Sequence, residues 1–107
     1  MSIERTKNPN WKVHPGEILK EEFLVPLKMS VYELAKRLDV PAPRINDIVL
    51  EKRGITPETA VLLARFFNTT EQFWLNLQAA YDIDRAKHQL ARKIKAITPL
   101  AAAASGM

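Results

Sequence analysis

The stretch from Ser30 to Arg53, SVYELAKRLDVPAPRINDIVLEKR, leaves this chain few ways to fold. Ser30 followed by Glu33 has the form of a capping box. The serine oxygen takes a free first-turn N–H and the glutamate reaches back to the cap, so a helix starts at Val31. Leu34, Ala35 and Leu38 then recur on one face at helical spacing. Pro41 and Pro43 stop that helix from continuing, and their fixed φ suits the first turn of another. In the second helix Ile45, Ile48 and Val49 point to one side, which leaves Pro43, Asn46, Asp47 and Leu50 opposite with Arg44 flanking them. Ala35 is small where the two helices must cross, Val40 points inward after the turn, and Ile45 with Ile48 completes a shared core. The pattern is a helix-turn-helix.

The flanking sequence supplies more helices and no strand pattern. Residues 1–13 form a polar, irregular arm in which Trp11 is expected to pack back on the domain. His14-Pro15-Gly16-Glu17 opens a helix whose buried stripe is Ile18, Leu19, Phe23, Leu24 and Leu27, ended by Pro26 and the residues after it. Gly54 terminates the region beyond the motif. Thr56-Pro57-Glu58 starts a helix that reads as nearly all buried, with Ala60, Leu63, Ala64 and Phe67 inward and Val61, Leu62 and Phe66 widening the face. It ends at Asn68, and Thr69 with Gln72 offers a second capping box for the helix FWLNLQAAY.

That fifth helix carries more apolar surface than one small core can cover. Phe73, Leu77 and Tyr81 fall on one face and Trp74, Leu75 and Gln78 elsewhere, so this helix is read as the surface on which two copies of the chain meet. From Ile83 onward Ala86, Leu90, Ile94 and Ile97 recur among Arg85, Lys87, Arg92, Lys93 and Lys95, a basic amphipathic helix stopped by Thr98-Pro99. It is expected to extend the fifth helix or to touch DNA, and the residues after it to fray. The expectation is an all-α fold: an arm at 1–13, a five-helix domain with a helix-turn-helix at 14–84, and a basic helical extension and frayed tail at 85–107.

With 107 residues there is room for one domain and one task. The net charge of +4 permits nucleic-acid binding, yet residues 82–107 carry five cations against two carboxylates while residues 41–81 are neutral. The face of the second motif helix is therefore not the most basic part. Absence of cysteine removes disulfides and thiolate zinc sites and suits a reducing cytosol. No apolar run near the start or elsewhere has signal-peptide or membrane-span character, so a cytoplasmic location is expected.

Chemistry points to reading DNA rather than to catalysis. Asn46, in the second turn of the second helix, has the donor and acceptor pair that matches adenine N6 and N7. Arg44 suits guanine O6 and N7 or a phosphate, and Ala42 with Pro43 suits a thymine methyl. Asp47 either accepts from cytosine N4 or holds Arg44 in place. Lys52 and Arg53 suit phosphates, as do Ser30 and Lys36 at greater distance from the bases. His14 and His88 have no nucleophile beside them, three glycines make no phosphate loop, and neither a metal, a cofactor nor a small-molecule substrate is implied.

With those residues in view, the chain resembles the HigA-type antitoxins, a branch of the repressor-like (XRE) helix-turn-helix family. The likeness runs from HPGEIL at His14 through PLKMS, RINDIV, KRGIT and FWLNLQAAYD, about seventy of the 107 residues. Membership implies a homodimer that binds an inverted-repeat operator in double-stranded DNA of its own promoter. It also implies a second partner, a HigB-type toxin that is an mRNA endonuclease. A stand-alone regulator of the same fold without a toxin is the alternative. Asp39 and Lys28 stand where the family usually has glycine, at positions that often need φ above zero. Leu50 and Glu51 replace residues that are often basic or small, which implies fewer phosphate contacts there.

Overall fold

The computed structural model describes residues 12–101, which form six helices and, within that span, no strand. Trp11, most of the polar arm and residues 102–107 lie outside the described residues. Helix α1, residues 15–27, opens as its sequence demands. His14 caps it, its Nδ1 accepting the Gly16 N–H at 2.8 Å, and Pro15 takes the first position. Its pitch then changes, from α over Pro15–Ile18 to π over Leu19–Leu24 and back to α over Val25–Leu27. Pro26 is the physical reason. Within a regular helix its ring would strike the carbonyl four residues back and no N–H would meet that carbonyl. The wider turn instead lets Val25 donate to the Lys20 carbonyl, five residues back. Leu19 and Leu24 stay buried, but the change of pitch turns Leu27 outward, 55% exposed, so it does not complete the expected stripe.

Helices α2 (Val31–Leu38) and α3 (Ala42–Val49) are the helix-turn-helix. Ser30 Oγ accepts the Glu33 N–H at 3.0 Å. The reciprocal half of the capping box is absent, because the Glu33 carboxylate turns to Arg37 Nε at 2.7 Å. Arg37 in turn lies 5.7 Å over the Phe66 ring of α4 (Pro57–Phe67), so its guanidinium, paired within α2, reaches across to a second helix. Leu34, Ala35, Leu38, Ile45 and Ile48 are buried together, as the crossing of the two helices requires.

Four helices end by one device, and none uses glycine. Lys28, Asp39, Glu51 and Asn68 sit at φ of 54°, 58°, 65° and 60°. After each, the chain turns back on the helix: Met29 N–H reaches the Leu24 carbonyl, Val40 that of Ala35, Lys52 that of Asp47 and Thr69 that of Ala64. These are Schellman caps, which satisfy carbonyls that the helix itself cannot. Asp39 and Lys28, the two departures from family glycines, do adopt positive φ. The stop after α3 falls at Glu51, not at Gly54. A left-handed non-glycine residue costs about 1–2 kcal/mol, part of which glycine returns through its looser unfolded state. Lys28→Gly and Asp39→Gly are each expected to raise the melting temperature by about 2–5 °C, the lysine site more, because aspartate tolerates the conformation better. A fall in either variant, followed by circular dichroism, would show that the turns are unstrained.

Helix α5 runs from Glu71 to Gln89 and passes unbroken through the expected boundary after residue 84. Its cap is Thr70, whose Oγ1 accepts the Phe73 N–H at 3.0 Å; Thr69 is not the cap. The Thr69 hydroxyl oxygen is taken by Trp74 Nε1–H at 2.8 Å. Trp74 is 0% exposed, with Phe23 and Phe73 rings at 5.0 Å and Phe67 at 6.2 Å. Reading Trp74 as an outward dimer residue is therefore corrected: the widened turn of α1 brings Phe23 across it and closes the core. Helix α4 is less buried than expected, with Val61 half exposed. The basic segment forms the last turns of α5 and then α6 (Ala91–Ala96), with the break at Leu90.

Candidate nucleic-acid interface

The first turn of α3 is built to leave little of its own hydrogen bonding unmet. Pro41 is the cap and Pro43 lies inside the turn, so neither has an N–H to satisfy, and Arg44 N–H folds back to the Pro41 carbonyl at 3.0 Å. Only the Ala42 N–H of that turn lacks an acceptor among the described residues. It sits at the positive end of the helix, where an anion is favoured.

Beyond that turn Ile45 and Ile48 are wholly buried, which fixes the rotation of the helix. Asn46, Pro43 and Leu50 are consequently exposed, while Arg44 and Asp47 are half-buried at the edges of the face. No ion pair joins Arg44 to Asp47, so the alternative in which the carboxylate holds the guanidinium is not what the structure contains. The Asp47 backbone carbonyl does have work: it accepts from Lys52 and Arg53 N–H at 2.8 and 3.2 Å, folding both cations back along the helix end. Both side chains are exposed. Ser30 and Lys36 are exposed on α2, and the Ser30 proton stays available to donate while its oxygen accepts.

Two of the residues assigned to the contact between copies have other employment. Gln78 Oε1 accepts the Ile55 N–H at 2.6 Å and its Nε2 donates to Asp82 Oδ1 at 3.0 Å, so it clasps the loop after α3 onto α5. Tyr81 packs edge-on to the His14 ring at 4.7 Å. Gln78 on a largely apolar helix, with Asp82 one turn on, was the available signal for an internal clasp. Phe73 is 38% exposed, and Leu75 and Leu77 are half-buried. Fuller apolar exposure comes later, at Ile83, Leu90, Ile94 and Ile97.

The helix-turn-helix family matches residues 19–74 of this chain. Virulence-associated protein I of Dichelobacter nodosus is 50% identical over 100 residues, covering 94% of this chain and 92% of its own. Antitoxin HigA-1 of Vibrio cholerae is 31% identical over 88 residues, 82% of this chain and 83% of its own. Among solved structures, that of the Pseudomonas aeruginosa antitoxin HigA with higBA promoter matches with a TM-score of 0.80 at 46% identity, covering 82% of this chain and 97% of the other. With its core, its motif and these likenesses in agreement, the protein is a member of the helix-turn-helix family, in the branch of the HigA-type antitoxins.

Proposed function

We propose that this protein is a DNA-binding repressor and antitoxin, which as a homodimer binds an inverted repeat in its own promoter and sequesters a HigB-type mRNA endonuclease. One observation carries the DNA reading: α3 is held by buried Ile45 and Ile48 so that Asn46, the one amide side chain of that helix, stands exposed in the middle of the outer face. The HigA structure with a promoter supports it. An asparagine so placed reads adenine through its Watson–Crick-free edge in the major groove, and Lys52 and Arg53 set the register on the phosphates. Self-association rests on the exposed apolar residues Ile83, Leu90 and Ile94 along α5 and α6 together with Phe73. No described helix is long and apolar enough to cross a membrane.

A gel-shift titration on the upstream region of the gene tests the reading. Asn46→Ala is expected to weaken specific binding by about 1–3 kcal/mol, roughly five- to 150-fold, and to relax preference at one position per half-site. Inserting about half a helical turn between half-sites is expected to remove the dimer complex. Unchanged affinity and preference in Asn46→Ala would defeat the assignment of base reading to α3. A small basic reading frame beside the gene, whose product forms a stable complex with this protein on co-expression, is expected of the antitoxin, and its absence would favour a regulator without a toxin.

A further inference from the structure

The loop after α3 and the long helix α5 meet in an open cleft of about 170 Å³, and the cleft gathers charge from both. Lys52 and Arg53 come from the loop. Arg85 comes from α5, two turns beyond the Gln78 clasp and thus on the same side of the helix. We propose that these three cations form one phosphodiester-binding site, so that a residue outside the helix-turn-helix grips the DNA backbone. The inference rests on the DNA-binding reading above and deepens it.

Four features make this a formed site rather than a scatter of surface charge. The loop is fixed to α5 by the bond from Ile55 to Gln78, and Gly54 lies so close to Gln78 that a β-carbon there would come within 2.7 Å of its Oε1. Arg85 is also fixed, with its guanidinium 5.7 Å over the Tyr81 ring, whose own edge is locked against buried His14. None of Lys52, Arg53 and Arg85 makes an ion pair among the described residues. Of the two carboxylates in the cleft, Glu51 and Asp82, the second is already occupied by Gln78 Nε2–H, and three cations outnumber them.

An arginine fork matches two phosphate oxygens, and a guanidinium held by a ring loses little freedom on binding. DNA is the favoured polyanion because Lys52 and Arg53 directly follow the base-reading helix, where the strand bordering the major groove must pass. The near-neutral outer face of α3 leaves affinity to such flanking contacts.

The test is a salt titration of the full chain on its upstream DNA and on an unrelated duplex of equal length. Arg85→Gln is expected to reduce the slope of log affinity against log salt by about 0.9, equally on both duplexes, while leaving their affinity ratio unchanged. Arg85→Lys is expected to keep the slope, and Lys20→Gln, an exposed change on α1 outside the cleft, is expected to leave it at the wild-type value. An unaltered slope in Arg85→Gln, with its melting temperature intact, overturns the proposal. So does an equal loss in Lys20→Gln, which would make the effect one of overall charge. A wild-type protein without salt-dependent binding would instead overturn the DNA reading itself.

Discussion

Gly16→Ala is expected to destabilise the protein by about 2–3 kcal/mol and to weaken DNA binding further, although Gly16 is nowhere on the outer face of α3. A β-carbon on Gly16 would overlap the carbonyl oxygen of Ile48. That oxygen belongs to the last turn of α3 and accepts the Glu51 N–H at 2.9 Å, one of the two bonds of the helix stop. Both sides of the collision are backbone, so no side chain can swing away. Either α1 retreats from the core or α3 shifts, and a shift of α3 misplaces Asn46 and the loop bearing Lys52 and Arg53. The loss corresponds to about 10 °C or more in melting temperature for a domain this size. A Gly16→Ala protein that melts within about 2 °C of wild type would refute the close approach.

Trp74→Ala is expected to cost about 3–5 kcal/mol, a large share of the 5–15 kcal/mol that holds an ordinary domain together. The loss has two sources. The indole fills the space among Phe23, Phe67 and Phe73, and its N–H is the donor to Thr69 Oγ1 at 2.8 Å. Removal leaves a cavity and strips a hydroxyl of its partner. Protein concentration gives a sharper readout than magnitude. Loss of a core contact lowers the melting temperature equally at all concentrations, whereas loss of a contact between copies lowers it by an amount that depends on concentration. Equal shifts across a hundredfold range are expected, and a concentration-dependent shift would return Trp74 to an interface.

How far the sequence could be read follows from which interactions were local. The motif helices were legible because Ser30, Leu34, Ala35, Leu38, Ile45 and Ile48 signal through spacing and caps within a few residues. Positive φ at Asp39 and Lys28 was legible through the resemblance instead, since both stand where the family usually has glycine. Trp74 was not, since its burial depends on Phe23, about half the chain away in sequence, and on a π turn that Pro26 forces into α1. Spacing alone had put it on an outer face. The Thr69 and Thr70 pair shows the limit in miniature: either hydroxyl could cap α5, and only the position of the Trp74 N–H decides which one is free to do so. At the candidate site, the exposure of Asn46 and the burial of Ile45 and Ile48 were legible from the helical face, but the bond of Gln78 to the Ile55 N–H was not, because its partner lies 23 residues away.

That bond between Ile55 and Gln78 separates two kinds of heritable change. In the proposed reading, the identity of a preferred base is carried by the outer face of α3, chiefly by exposed Asn46 and half-buried Arg44. In the proposed dimer, the distance between the two readers is carried by α5, to which each reader's trailing loop is fastened. Substitutions on α3 can therefore move the protein to a new operator sequence while the old spacing persists. Changes along α5 can alter the spacing while base preference persists, so a lineage can explore the two properties one at a time.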